Sequence, residues 1–533
     1  MSQGSLHPSP YAHRYDLPDG SCAVFHALSL EVAYVGPELR ALFPPVWSRP
    51  VPFTIPRGGI GDVPPDYPVP DTVLSPADWV ASGGDPSALA RLANLHLLQP
   101  EGDTFDATWL GRLNAMVDDS PMRMLTLVPT TLCNFRCTYC HETEESRASR
   151  SRMSIEQAQA LIAAWAVYAR RTPGKKDLLL YGGEPMLHPE LVRWVIEHFS
   201  RTPSELYGGK VCVILVTNAS RITEEWARFF KEHDTFVIVS CDAIGEDNDA
   251  GRLTQGGAPT FKMIERGYRL LQAAEVRTAI SVTVTKHNAE DIATTFPELI
   301  DHFKPLDIGL NSCLHPPYGQ PENADACDPL DGTRRMLEAY AAARSRGVYV
   351  EQFNRRVRPF AIRAHRVKDC SACGGRIVGQ PGGTWSFCDG FSYTPEYSYR
   401  FGETLDLETN PDYHRWAQLS PIRWKDCHEC PLVALCGGGC RYDAAMASGK
   451  LDGLDPHRCT QDREILRWTI NDLAQTLVAR SLTGSEIHVP TEAERRTLLG
   501  ELTLDPLTIP LGNANRYGER VGRPVEQHET SRD

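Results

Sequence analysis

The 533-residue sequence predicts an α/β protein built on a parallel sheet, open or curled into a partial barrel. A small α+β unit precedes it and a cysteine-rich unit follows. Three observations carry this. Strand-like and helix-like segments alternate strictly between about 121 and 350. Residues 1 to about 120 mix short alternating runs with helical stretches and prolines, and eight of the 16 cysteines fall between 370 and 459. The boundaries drawn from these changes are 1–120, 121–355, 356–480 and a tail at 481–533.

Within the first unit, "SCAVFHALSLEVAYVG" alternates around Leu28, Leu30, Val32 and Tyr34 after a "PDG" turn signal, which predicts a hairpin. The stretch "FPPVWSRPVPFTIPRGGIGDVPPDYPVP" cannot be continuous helix or central strand, because proline lacks the backbone donor. "DPSALARLANLHLL" then offers a cap, a proline in the first turn and leucines at helical spacing. Strands with short helices predict a winged-helix-like unit.

In the second unit the predicted strands are "MLTLV", "DLLLY", "VCVILV", "FVIVS", "AISVTVT" and "DIGLN". Amphipathic helices run between them, such as "SIEQAQALIAAWAVYAR", where Ser154 and Gln157 occupy capping-box positions. Right-handed crossovers make such repeats parallel, and ligands of parallel sheets gather at the carboxyl ends of the strands. Four loops follow those ends: "CNFRCTYC" after the first strand, "YGGEP" after the second, "TNAS" after the third, and "SCDA" closing the fourth.

Composition bounds the function. A hydrophobic share of 41% and a charged share of 23% read as soluble and globular. No apolar run reaches the ~18 residues of a membrane span, and the N-terminus has no basic start with an apolar core. A cytoplasmic protein without membrane association is therefore expected. The net charge of −13 argues against nucleic acid as a partner. In a reducing compartment the cysteines call for metal ligation rather than disulfides. Cys22, Cys212, Cys241, Cys313 and Cys327 are scattered and read as buried small hydrophobes.

Cys133, Cys137 and Cys140 lie within eight residues. A structural zinc site would want a fourth ligand, and His141 is too close to Cys140 to complete a tetrahedron. A [4Fe–4S] cluster held by three thiolates keeps one iron open for another ligand. "CNFRCTYC" followed by "GGEP" resembles the radical S-adenosylmethionine (SAM) enzymes over about 121–320. The resemblance implies a partial (β/α)6 barrel and a cluster on these three cysteines whose open iron is chelated by SAM. It further implies reductive cleavage of SAM to a 5′-deoxyadenosyl radical that removes a hydrogen atom from substrate. On the residues, Gly182 and Gly183 allow close backbone approach, Glu184 can accept from an ammonium, and Pro185 closes the motif. Tyr139 matches the family's aromatic position beside adenine, or is simple packing. Ser240, Asp242 and Arg252 match positions that contact SAM, though Asp242 also reads as a turn residue. Asn218 is a weaker contact, with helix capping its alternative.

"CHECPLVALCGGGC" with Cys459 downstream, and Cys370, Cys373 and Cys388 upstream, resembles the SPASM extension, which implies two auxiliary [4Fe–4S] clusters. By analogy one takes Cys370, Cys373, Cys388 and Cys440, and the other Cys427, Cys430, Cys436 and Cys459. Cys370 stands closer to Cys373 than in the sulfatase-maturing relatives, which leaves the first set open to a different ligation. Zinc ribbons are the alternative for all eight. Asp389 matches an aspartate proposed as general base in those relatives, or is a loop residue. The implied partners are a precursor peptide, held by strand addition to the N-terminal unit, and an electron donor such as ferredoxin or flavodoxin. The resulting expectation is a maturase that installs a cross-link or similar oxidation on a ribosomally made peptide. The alternatives are a formylglycine-forming sulfatase-maturing enzyme, a SPASM enzyme acting on a small molecule, and a non-catalytic Fe–S or zinc module.

Overall fold

The computed structural model describes residues 6–46, 75–140 and 150–500, apart from 306, 314–322, 393, 395, 402–405 and 478–481. Most of the proline-rich stretch, His141 and the end of the tail lie outside the described residues. The strands are β1 Leu6–Pro8, β2 Ala12–Asp16, β3 Cys22–His26, β4 Val32–Val35, β5 Leu98–Pro100, β6 Met124–Leu127, β7 Lys176–Leu180 and β8 Val211–Thr217. They continue as β9 Phe236–Ser240, β10 Thr278–Val284, β11 Asp307–Ser312, β12 Tyr349–Val350, β13 Arg376–Gln380, β14 Thr384–Ser386, β15 Ser398–Arg400 and β16 Ile487–His488.

The central sheet runs β12-β11-β10-β9-β8-β7-β6-β13-β14-β15. From β6 to β12 every neighbouring pair is parallel and in chain order, as helix crossovers require. The helix Ile155–Ala169 after β6 opens with the predicted capping box, Ser154 and Gln157 bonding each other's backbone N–H reciprocally. Its Leu161, Ile162 and Trp165 pack on the sheet's outer face with Leu125, Leu127, Leu178 and Leu180.

Side chains alternate across each strand, so the inner face belongs to the intervening residues. Met124, Leu179, Cys212, Ile214, Phe236, Ala279 and Tyr349 form an apolar floor at the amino ends of the strands. Above it stand Tyr181, Val216 and Ile238 on one side, and Ser240, Ser281, Thr283, Gly309 and Asn311 on the other, all half-buried. The interior is therefore filled below and open at the carboxyl rim, with one apolar and one polar wall.

The predicted hairpin turns at the "PDG" between β2 and β3, where Gly20 takes a φ of 87°, whereas Leu28 and Leu30, read as strand, lie in the turn of a second hairpin, β3–β4, which contains no glycine. Instead the His26 ring accepts at Nδ1 from the Leu28 and Ser29 backbone N–H groups, at 3.3 and 3.2 Å, while Leu30 takes a φ of 60°. His26 Nε2 faces Asp106 Oδ1 at 3.1 Å, which fixes the ring. The helix Pro86–Asn94 has the predicted start, Asp85 capping the Ser87 N–H with proline at the first position. Cys22 and Val24 face these helices, while Ala23 and Phe25 face the barrel.

The inner face of this unit is continuous with the barrel core. Phe25 packs on Phe360 at 5.6 Å between ring centroids. Tyr34 donates to the Ile470 carbonyl (2.8 Å), and Arg495 donates to that of Leu30 (2.9 Å). The boundaries near 355 and 480 also cut across sheets: β13 pairs in parallel with β6, and β16 pairs with β4. Neither pairing has a local sequence signal. Among the described residues no helix is long and apolar enough to cross a membrane.

Candidate functional site

The three-cysteine loop leaves β6 at the open rim and is stitched on three sides. On one side Thr131 and Ser151 exchange bonds, Thr131 N–H to the Ser151 carbonyl and Ser151 N–H to Thr131 Oγ1 (3.1 and 3.0 Å). On the second, Gly183 N–H donates to the Thr130 carbonyl (3.1 Å) and Glu184 N–H to that of Leu132 (2.7 Å). On the third, Arg136 and Thr138 N–H groups donate to the Leu253 and Gly251 carbonyls (2.7 and 3.0 Å). Gln255 Nε2 reaches the Cys133 and Phe135 carbonyls. These bonds satisfy an irregular loop's backbone and hold the three thiols together. Burial first, and then the neighbouring Glu184, Cys137 and Cys140 charges, push the Cys133 thiol up to about 12.

The glycines of "GGE" have a steric reason. A Cβ on Gly183 would lie 2.3 Å from the Leu132 carbonyl oxygen, and one on Gly182, whose φ is 141°, would lie 2.6 Å from Val128 Cγ1. Glu184 is fully buried and already engaged. Its Oε1 accepts from the Met186 N–H (3.0 Å) and Thr217 Oγ1 (2.7 Å), and its Oε2 from the Asn218 N–H (2.8 Å). Burial raises its pKa against these donors. The carboxylate thus ties the rims of β7 and β8 and keeps one acceptor position on Oε2. Pro185 starts the short 3-10 turn Pro185–Leu187 that this carboxylate caps.

Asn218 does not stand free over the pocket. Its Nδ2 donates to Asn134 Oδ1 (2.9 Å), while Asn134 Nδ2 donates to Ser220 Oγ (2.9 Å). Asn134, inside the cysteine motif, and Thr217 were missed by the sequence reading. Their only signal was proximity to quoted motifs, since both act through contacts some 80 residues long or, for Thr217, 33.

Asp242, expected to touch SAM, is saturated within the protein. Oδ1 accepts from Arg252 Nη2 (3.0 Å) and the Thr283 N–H (2.8 Å); Oδ2 accepts from Arg252 Nε (2.9 Å) and the Tyr139 hydroxyl (2.5 Å). A carboxylate offers about four such positions. Arg252 lies over the Tyr139 ring, 5.4 Å from its centroid, and its Nη1 is 3.9 Å from Cys137 Sγ. Ser240 is half-buried on the interior face of β9. The structure therefore brings Cys133, Cys137, Cys140, Tyr139, Gly182, Gly183, Glu184, Asn218, Asp242 and Arg252 to one rim, where Arg252, Tyr139 and Thr283 occupy the Asp242 carboxylate.

The other eight cysteines separate into two groups through their mutual electrostatics. Cys388 is raised by burial and then by Asp389, Cys370 and Cys440, and Cys373 by burial and Cys370. Cys436 is raised by burial and by Asp462, Cys430, Cys427 and Cys459. The groups are thus Cys370, Cys373, Cys388 and Cys440, and Cys427, Cys430, Cys436 and Cys459. The second lines a hollow together with Trp424, Leu432 and Leu454. Buried cations stand beside each group: Arg376 by Cys370, Cys388 and Cys440, and Arg463 by Cys430 and Cys459. Asp389 is ion-paired with Arg376 at 2.7 Å and is 25% exposed. Among the described residues no three His, Cys, Asp or Glu side chains close on a single metal ion. A ring of thiols around an apolar hollow, with a cation to offset its negative charge, fits a polynuclear cluster.

Comparison with known proteins agrees. The Radical SAM superfamily matches residues 127–298. The radical SAM cyclopropyl synthase TigE of Paramaledivibacter caminithermalis is 22% identical over 375 residues, 67% of this chain and 75% of that protein. A cysteine-type anaerobic sulfatase-maturating enzyme of Clostridium perfringens is 25% identical over 346 residues, covering 60% of this chain and 89% of it. The solved structure of native anSMEcpe with bound AdoMet and a peptide superposes with a TM-score of 0.55 at 20% identity, covering 66% of this chain and 99% of that one. That likeness speaks for the fold. Residues 127–298 are thus a radical SAM domain, of a superfamily whose enzymes work with a [4Fe–4S] cluster and SAM.

Proposed function

We propose that the protein oxidises a residue of a ribosomally made precursor peptide, forming a cross-link or a similar modification. Cys133, Cys137 and Cys140 would hold the SAM-binding cluster, and the two groups of four cysteines would hold auxiliary clusters. When bound there, the cluster would supply the electron for reductive cleavage of SAM and so the means of removing a hydrogen atom from substrate. The observation that carries the reading is the meeting of the cysteine loop and the Gly182–Gly183–Glu184 turn at the mouth of a half-open barrel.

The chain's own residues would do the rest. Tyr139 offers a ring face at the rim, fixed by its hydroxyl. Glu184 Oε2 keeps one acceptor for an ammonium. The polar wall of Ser281, Thr283 and Asn311 would orient an amide-bearing substrate, and the apolar floor excludes water beneath it. Asp389, ion-paired with Arg376, would accept a proton as the substrate is oxidised. The sulfatase-maturating structure solved with a bound peptide is the relative that favours a peptide.

Docking of a leader by strand addition meets an obstacle. β16 lies on the outer edge of β4, and Val46 N–H bonds the Arg14 carbonyl on the outer edge of β2. A peptide strand would have to displace one of these or extend past them.

A formylglycine-forming activity is the second reading. It is favoured by the Cys388–Asp389 pair and by the match spanning 89% of the Clostridium perfringens enzyme. Co-expression with candidate peptides and mass spectrometry separates the two. Loss of two hydrogens supports the cross-link, and loss of a cysteine sulfur with formation of an aldehyde supports the second. No change in any peptide, alongside release of 5′-deoxyadenosine, supports a small-molecule substrate.

A further inference from the structure

We propose that Arg252, clamped by Asp242, is a positioning residue that holds its positive end against the Cys137 sulfur and so raises the reduction potential of the cluster at Cys133, Cys137 and Cys140. The inference rests on those cysteines holding that cluster. Its basis is the way each atom of the pair is spent. Asp242 grips the guanidinium along one edge, through Nε at 2.9 Å and Nη2 at 3.0 Å. That bidentate grip fixes the plane and aims the remaining nitrogen, Nη1, at Cys137 Sγ, 3.9 Å away.

The aim is reinforced from both partners. Asp242 is itself held by the Thr283 N–H at Oδ1, and its own N–H donates to Asn248 Oδ1 (3.1 Å). Thr260 Oγ1 donates to the Arg252 carbonyl (2.7 Å). Cys137 and Tyr139 sit two residues apart on a loop zipped to Gly251 and Leu253, so the thiol and the cation belong to neighbouring, mutually bonded strands of chain. Tyr139 closes the arrangement, its ring under the guanidinium and its hydroxyl on Asp242.

The Arg252 and Asp242 side chains are 8% and 3% exposed, so water screens them little. The pair is neutral overall, but its carboxylate lies behind the guanidinium as seen from Cys137. The cluster would face the positive end of a buried dipole. Reduction adds one negative charge, which that end stabilises, and charge near a cluster together with donors to its sulfurs is what sets its potential.

The test is an EPR-monitored redox titration of the anaerobically reconstituted full-length enzyme, following the signal that SAM perturbs. Arg252→Gln removes the cation but leaves Asp242 buried and unpaired. Asp242→Asn with Arg252→Gln replaces the ion pair by two neutral amides that can bond each other, and so keeps the fold. Both should load the full iron complement and show the SAM-responsive midpoint shifted to more negative potential, with the other two midpoints unmoved. Arg252→Lys should restore part of the shift. A loaded double variant whose midpoint equals or exceeds that of the wild type overturns the inference. A wild-type enzyme with no SAM-responsive signal overturns instead the assignment of the cluster to these cysteines.

Discussion

Gly183→Ala tests whether the "GGE" turn and the cysteine loop are one rigid unit. The added Cβ would lie 2.3 Å from the Leu132 oxygen, 2.7 Å from its carbonyl carbon and 2.8 Å from that of Thr131, where real contacts stay beyond 3.0 Å. All three atoms are backbone, so no side chain can swing aside, and the loops must part by about 0.7 Å. Overpacking of that kind costs ~1–3 kcal/mol. Stretching the Gly183-to-Thr130 and Glu184-to-Leu132 bonds adds about 1 kcal/mol each. Because the displaced segment carries Cys133, a shift approaching 1 Å at the reacting centre should slow SAM cleavage by roughly a hundredfold. Gly111→Ala is the control: a Cβ there meets nothing within 4 Å inside the helix Phe105–Asp118. It should leave cleavage unchanged and stabilise the protein by up to about 1 kcal/mol. The assays are 5′-deoxyadenosine release with dithionite, iron content, and urea unfolding. Wild-type release and stability in Gly183→Ala would refute the steric argument.

Three further perturbations follow from named contacts. Cys137→Ala should abolish SAM cleavage and lower bound iron by about four atoms in roughly twelve, the count for three cubanes, as read by iron and sulfide analysis. Phe25→Ala should destabilise the whole protein by about 3–5 kcal/mol in a single unfolding transition, because Phe25 sits in the shared core against Phe360. A separate early transition confined to the N-terminal unit would contradict it. His365, buried against Trp109 with Nε2 2.7 Å from the Leu28 carbonyl, has its pKa lowered by burial. Its neutral form is favoured in the fold, so its contribution is fully present above the unfolded value near 6.5. That contribution is lost as pH falls below 6.5 through the lower folded value. Urea unfolding at pH 7.5 and 5.5 should show this loss in the wild type and a smaller one in His365→Gln.

The barrel strands were legible because alternation and β-branched runs are local properties, and Ser154 with Gln157 announced its helix in four residues. The cysteine motif was legible for the same reason: three thiolates within eight residues are a local arrangement. What escaped depends on chain segments far apart. β16 lies against β4 across some 450 residues, and β13 joins β6 across some 250. No periodicity records either pairing. Asp242 illustrates the limit within the site. Its position in "SCDA" placed it correctly at the rim, yet its task follows from Arg252, Tyr139 and Thr283 consuming all its acceptor positions. Glu184 shows the same limit, since two of its three donors come from β8 and the loop behind it.

The central claim is that Cys133, Cys137 and Cys140 leave one iron of their cluster open to SAM. The most direct measurement is low-temperature EPR of anaerobically purified, dithionite-reduced protein with and without SAM. Addition of SAM should shift the signal of one cluster while the others stay as they were. Spectra that superimpose with and without SAM, in protein carrying its full iron, would contradict the account.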